Sequence, residues 1–261
     1  MQIPNLETSQ RVIPIVSSRW KYRRSIVAAL ALALIAIGLN VSARAADEQP
    51  LHAQTKKPMR IGVIGAGSLG GTIGSLLVKA GHEVKFSSRH PGELESMARE
   101  LGPRASVGTA REAAEFGTVL LFAVPYDALP QLGQDLKEQI RGKIVLDACN
   151  PRGGSEEAAG VAHTSARLLA GTRLVRAFSA VDATAAEASF KRQSDKLGVP
   201  LASDDAEAMQ IAAQLVRDAG CEPVIVGDLA AAKSFQRGGP GFRANTTAPK
   251  LRQLLGLPEG K

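Results

Sequence analysis

The stretch MRIGVIGAGSLGGTIGSLLVKAGHEVKFSSR, Met59 to Arg89, decides the fold. A short apolar run, Ile61 to Ile64, ends in Gly65-Ala66-Gly67-Ser68-Leu69-Gly70. An apolar pattern of helical period follows at once, and then a second strand-like run, Glu83 to Ser87. In a chain this rich in glycine, three glycines at that spacing arise by chance at about one start position in a thousand, so the order strand, turn, helix, strand carries the argument. In that order each glycine has a task. Gly65 permits the tight turn, Gly67 lets a pyrophosphate approach the backbone, and Gly70 lets helix and strand pack closely. The free N–H groups of the helix start, around Ser68 and Leu69, then face the phosphate oxygens with the positive end of the helix dipole.

The second strand ends in Ser87-Ser88-Arg89-His90 and not in a carboxylate. An acid there would hydrogen-bond a free ribose 2′-hydroxyl, whereas a guanidinium beside a hydroxyl suits a 2′-phosphate. Ser88 and Arg89 are therefore expected to favour NADP(H).

Outward from this unit the chain keeps alternating. Helices are expected at about Glu93 to Leu101, Ala110 to Glu115, Ala128 to Ile140 and Ser155 to Leu169. Strands are expected at Ala105 to Val107, Thr118 to Val124, Lys143 to Cys149 and Arg173 to Phe178. The unbroken apolar runs among them mark strands buried on both faces. Beyond Phe178 the pattern continues with a helix at Thr184 to Phe190 and a short strand at Pro200 to Ala202. A helix opened by Asp204 and Asp205 and closed by Gly220 follows, then a strand at Pro223 to Val226 and helices at Asp228 to Gln236 and Ala248 to Leu255. Such alternation implies an α/β fold, a doubly wound parallel sheet of the Rossmann NAD(P)-binding kind. Residues 58–180 would form the NADP-binding domain, and residues 181–261 a small α/β C-terminal extension completing the substrate cleft.

Residues 1–45 read as a signal peptide. Arg19, Lys21, Arg23 and Arg24 precede an apolar segment, Ser25 to Val41, and a small-residue A-x-A site ends at Ala45. Cleavage there would export the protein, to the periplasm in a bacterium, and the paired Arg23-Arg24 admits the twin-arginine route for folded, cofactor-loaded proteins. Left uncleaved, the leader would be the chain's one attachment to a membrane. Residues 46–57 are polar and read as a linker. The formal charge of +7 belongs largely to the leader, which holds six basic residues and one acid; the remaining residues carry 26 basic and 24 acidic side chains. That balance of about +2 offers no electrostatic footprint for a nucleic acid.

Cys149 and Cys221 could pair in an oxidising compartment, with two buried thiols the expected state, and no Cys/His spacing suggests a metal site. His52, His82, His90 and His163 are scattered; surface roles are expected for His82 and His163, although His163 could act as an acid.

The segments IGVIGAGSLGGTIGSLLVKAGHEVKFSSR, LLFAVPYDAL, KIVLDACNP, RLVRAFSAV and VPLASDDAEAMQIAAQLVRDAGCEPVIVGDL, in this order, resemble the NADP oxidoreductase, coenzyme F420-dependent family. The resemblance implies that Gly65, Gly67, Ser68, Leu69 and Gly70 hold the pyrophosphate and that Ser88 and Arg89 hold the 2′-phosphate. It also implies that Ala123, Val124 and Pro125 line the nicotinamide ribose, with Asn150 and Pro151 beyond it. The loop Ser179-Ala180-Val181 would face the second substrate, and Ser179 stands where family members usually carry Asn. The implied activity is hydride transfer between NADP(H) and a planar small-molecule redox acceptor, a deazaflavin or flavin. Ser179 and His163 are the candidates for orienting or protonating that acceptor. Ferric or imine reduction, or a non-catalytic NADP(H)-binding module of a redox complex, stay open as alternatives, as does homo-oligomerisation.

Overall fold

The computed structural model describes residues 57–152 and 160–258. The leader, most of the linker and the start of the helix expected from Ser155 lie outside the described residues. Among the described residues eight strands form one sheet: β1 (Arg60–Ile64), β2 (Glu83–Ser87), β3 (Ala105–Gly108), β4 (Val119–Phe122), β5 (Ile144–Asp147), β6 (Arg173–Arg176), β7 (Gly198–Ala202) and β8 (Glu222–Gly227). Their order is β3-β2-β1-β4-β5-β6-β7-β8, so the chain leaves β1 in one direction and returns to its other side at β4. Among the described residues nine α-helices accompany them: α1 (Ser68–Lys79), α2 (Glu95–Leu101), α3 (Ala110–Phe116), α4 (Leu129–Asp135), α5 (Lys137–Ile140), α6 (Val161–Leu168), α7 (Ala183–Phe190), α8 (Ala206–Asp218) and α9 (Ala248–Leu254). Among the described residues no helix is long and apolar enough to cross a membrane.

The period-2 alternation of each strand sorts its side chains into two cores. Val63, Leu121, Leu146 and Val175 pack with Ile73 and Leu77 of α1 and Leu215 and Val216 of α8. Ile64, Leu120, Phe122 and Val145 pack with Ala113 of α3, Leu129 of α4, Ile140 of α5 and Val161 of α6. Both faces of the central strands are thus dry, and each buried Leu, Ile or Val there contributes about 1.5–3 kcal/mol relative to exposure.

Four expectations need correction. Strands β1 to β6 are parallel, but β7 meets β6 antiparallel, through the single pair Arg176↔Ala202, and β8 runs parallel to β7. The C-terminal residues therefore continue the sheet in reversed direction. The helix expected over Ala128 to Ile140 is broken at Leu136, and its start is a 3-10 turn, Tyr126–Ala128. The run Asp228 to Gln236 is a 3-10 helix, Leu229–Phe235, and not an α-helix. His82, expected at the surface, is 2 % exposed. Its ring accepts the Met59 N–H at Nδ1 and bonds Asp218 through Nε2, 3.1 Å away, because the turn before β2 lies under the end of α8. Other local signals hold. Asp205 caps α8 by accepting the Ala208 N–H, and Gly220, at φ +75°, follows its end.

Candidate functional site

The glycine turn joins the end of β1 to the start of α1. Gly65 sits at φ +96°, a conformation open to glycine, and a Cβ there would lie 2.6 Å from Val124 Cγ1 and 2.7 Å from the Ala123 carbonyl oxygen. The Gly65 and Ala66 N–H groups both donate to the Ser87 carbonyl, at 3.2 and 2.8 Å, which ties the turn to the end of β2. At Gly70 a Cβ would lie 2.1 Å from the Gly65 carbonyl oxygen, so the helix start is pressed onto the turn. Gly67 is different. It is exposed, and a Cβ there would meet nothing within 4 Å.

Gly67 is also the N-cap of α1, with no capping side chain and no acid in the first turn. Helix geometry leaves the first-turn N–H groups without intrahelical acceptors. An open backbone cradle under bare N–H donors is what a pyrophosphate requires, and the residues present fit it. A cavity of about 370 Å³ opens beside this turn, lined in part by Ala66, Gly67, Ser68 and Met97. A larger cavity, about 920 Å³, lies by α9 and Glu222 and is lined by a mixture of charges with no comparable cradle.

At the end of β2 the two serines divide their work. Ser87 is buried and donates its hydroxyl to the Val63 carbonyl at 2.8 Å, a structural bond. Ser88 accepts the His90 N–H at 2.8 Å, which leaves its own hydroxyl hydrogen to donate. Arg89 is exposed and forms no ion pair among the described residues. Together with Ser88 it can meet a dianion beyond the strand end.

The remaining candidates gather at the carboxyl ends of β4, β5 and β6. Ala123 and Val124 are half-buried beside the glycine turn, and Pro125 is exposed where the chain enters its 3-10 turn. Asn150 donates to the Ser179 carbonyl at 2.7 Å, joining the loops after β5 and β6. Ser179 is 4 % exposed, and its Oγ is buried without a hydrogen-bond partner. His163 lies half-buried on α6, and no hydrogen bond joins it to Ser179 or Asn150. The start of α6 is pinned near this end of the sheet, because Tyr126 donates to the Val161 carbonyl and the Val161 N–H donates to Gln236.

Sequence reasoning missed the groups beneath these loops. Asp147 and Arg176 are paired in register across β5 and β6, fully buried, with an N–O distance of 2.7 Å. The signal was present: a charge inside an apolar strand run, in KIVLDACN and again in RLVRAF, demands a buried partner. It also missed the segment after the last 3-10 helix. The Arg243 N–H donates to the Ala180 carbonyl, and its guanidinium pairs with Asp182 at 2.7 Å. Arg243 and then Asn245 beside Asp182 hold its carboxyl below the usual carboxylate range. Burial, followed by the Asp147 charge, pushes the Cys149 thiol well up, and burial pushes Cys221 up to about 11. Both cysteines are free, as the sequence suggested.

Residues 60–151 match the model of the family described as NADP oxidoreductase, coenzyme F420-dependent. The curated metalloreductase STEAP3 of Rattus norvegicus is 26% identical over 199 residues, 75% of this chain, and the match spans 40% of that protein's length. Among solved structures, a hypothetical protein of Sinorhizobium meliloti superposes with a TM-score of 0.64 at 24% identity, covering 72% of this chain and 93% of its own. One assigned as an F420-dependent NADP reductase, from an Arthrobacter species, superposes with a TM-score of 0.57 at 21% identity, covering 67% and 87%. At these identities the structures speak to the shared fold alone. The matched residues 60–151 hold the glycine turn, the Ser88-Arg89 strand end and the Ala123–Pro125 loop, and over them the chain is similar to the NADP oxidoreductase, coenzyme F420-dependent family.

Proposed function

We propose that the protein is an NADPH-dependent reductase acting on a planar two-electron acceptor. The observation that carries this reading is the open backbone cradle at Gly67 with a cationic strand end, Ser88-Arg89, beside it. NADPH, when bound, supplies hydride from nicotinamide C4. The chain's own residues bind and orient. Gly65, Gly67, Ser68, Leu69 and Gly70 form the turn that holds the pyrophosphate; the N–H groups at the start of α1 meet its oxygens, while the Gly65 N–H stays on the Ser87 carbonyl. Ser88 and Arg89 hold the 2′-phosphate. Ala123, Val124 and Pro125 line the nicotinamide ribose, and Asn150 bounds the far end.

Hydride transfer depends on positioning more than on a strong acid or base. The absence of a bonded acid–base pair among His163, Ser179 and Asn150 is compatible with that chemistry. Ser179, with its unpartnered hydroxyl, is the better placed of the two earlier candidates to orient an acceptor.

The acceptor class follows from electron count. A deazaflavin or flavin takes both electrons of a hydride at once. The curated relatives are metalloreductases, but a ferric chelate accepts one electron, so it would need two equivalents and a mediator between them. This chain spans about two fifths of the STEAP3 relative. A planar mediator is therefore the direct acceptor in this proposal.

The test is NADPH oxidation by purified protein with deazaflavin, flavin, cyclic imine and ferric chelate in turn. Turnover with a deazaflavin or flavin is expected. Tight NADPH binding with no turnover for any acceptor would favour a non-catalytic module. We further propose export through the leader. N-terminal sequencing of periplasmic protein should begin at Ala46, and an intact Met1 there would refute cleavage.

A further inference from the structure

Arg176 is 1 % exposed and Asp147 is fully buried, at the carboxyl ends of neighbouring parallel strands. One terminal nitrogen of Arg176 donates to Asp147 Oδ2 at 2.7 Å and to the Cys149 carbonyl at 2.8 Å. The other donates to Asn150 Oδ1 at 3.1 Å. Asp147 Oδ1 accepts the Cys149 N–H at 2.9 Å. Asn150, its oxygen held by the guanidinium, turns its amide nitrogen to the Ser179 carbonyl at 2.7 Å. Between Arg176 and Ser179 the chain passes through Phe178 at φ +58°, a left-handed conformation that a bulky residue adopts only where its surroundings impose it.

A buried ion pair of this kind is a weak source of stability, since apolar residues of equal volume serve as well or better. Its distinctive property is direction. A guanidinium only donates, in a fixed planar fork, so it admits one orientation of the Asn150 amide. That orientation determines which group the loop after β5 offers to the loop after β6. These two loops bound the far end of the crevice, while the glycine turn and Ser88-Arg89 lie on the other side of β4.

We propose that Arg176 is a positioning residue. Braced by Asp147, it locks the Asn150 amide and the Phe178-Ser179 turn in one arrangement, and so orders the nicotinamide end of the crevice while leaving the adenosine end untouched. This rests on the NADPH reading above.

The experiment compares NADPH with 2′,5′-ADP, which lacks the nicotinamide half, as ligands of the wild type, of Arg176→Lys and of the double variant D147N/R176M. Lysine keeps the buried charge balance but offers its donors from one nitrogen on a shorter reach, so it cannot reproduce the planar fork that meets Asp147 and Cys149 with one nitrogen and Asn150 with the other, and the double variant removes both charges at similar volume. Affinity for 2′,5′-ADP should stay within about twofold of the wild type in both variants. Affinity for NADPH should fall about tenfold in both, and the change in nicotinamide fluorescence on binding should be lost. Retention of that fluorescence change by both variants would overturn the proposal. So would a parallel loss of 2′,5′-ADP binding, which would mark Arg176 as merely structural. A wild type that binds neither ligand would instead remove the nucleotide reading itself, and the positioning role with it.

Discussion

Replacing Arg89 by Glu should separate the two nicotinamide cofactors. Arg89 is exposed, at the end of β2, beside a Ser88 hydroxyl that is free to donate. An exposed, solvated pairing lies at the lower end of the range for charge-assisted hydrogen bonds, so losing the guanidinium should weaken NADPH binding about tenfold. Putting a carboxylate in its place adds repulsion between like charges in a high dielectric, for a further factor of about five. The expected total is a loss of about fiftyfold for NADPH, with NADH changed by no more than about twofold. Arg89→Ala should show the first factor alone. The assay is a fluorescence titration with each cofactor at two ionic strengths. The Arg89 effect should shrink as the Debye length falls from about 10 Å at 0.1 M salt to about 3 Å at 1 M. Equal losses for NADPH and NADH, or a loss indifferent to salt, would refute a 2′-phosphate contact at Arg89.

The glycines of the turn should divide by cause. Gly67→Ala adds a methyl that touches no protein atom, so thermal stability should be nearly unchanged while NADPH affinity, read by calorimetry, falls at least about tenfold. Gly70→Ala drives a methyl into the Gly65 carbonyl and should destabilise the fold by about 1–3 kcal/mol in urea unfolding. Arg173 donates to Asp205 at 2.6 and 2.8 Å, and this, with the Ala208 N–H, holds the Asp205 carboxyl well below the usual carboxylate range. A depressed carboxylate stabilises the fold above its unfolded pKa and loses that effect as pH falls through the folded one. The stability advantage of the wild type over Arg173→Ala should therefore be full at pH 7 and shrink below about pH 4, as urea titrations across pH would report. With both thiols buried and their pKa values raised, iodoacetamide at neutral pH should label neither Cys149 nor Cys221 until the protein unfolds. Rapid labelling of the native protein, seen by mass spectrometry, would contradict their burial.

The nucleotide half was legible because its signals are local. A glycine that must take φ +96°, one that must leave space and one that must touch the turn are each written at a fixed offset between an apolar strand and an apolar helix. Thr118 to Val124 and Lys143 to Cys149 could be read as buried strands because a sheet covered on both faces needs unbroken apolar runs. Strand direction is not local. Alternating elements imply neighbours, but the antiparallel meeting of β7 with β6 depends on how α7 and α8 pack against the rest. His82 looked like a turn residue, because nothing in its own neighbourhood announces that Asp218, far along the chain, will lie beside it. The brace of Asp147, Arg176 and Asn150 was half-legible. The two charges lie within apolar runs, a signal the sequence reading passed over, and their pairing needs the β5–β6 register. Ser179 was placed by resemblance, while its buried, unpartnered hydroxyl needed coordinates.

The most direct measurement is a crystal structure of the protein soaked with NADPH. The pyrophosphate should lie over Gly67 against the N–H groups at the start of α1, with the 2′-phosphate within hydrogen-bond reach of Ser88 and Arg89 and the nicotinamide ring beyond Ala123. A dinucleotide seated elsewhere, or a crevice above Gly67 that stays closed to it, would contradict the account.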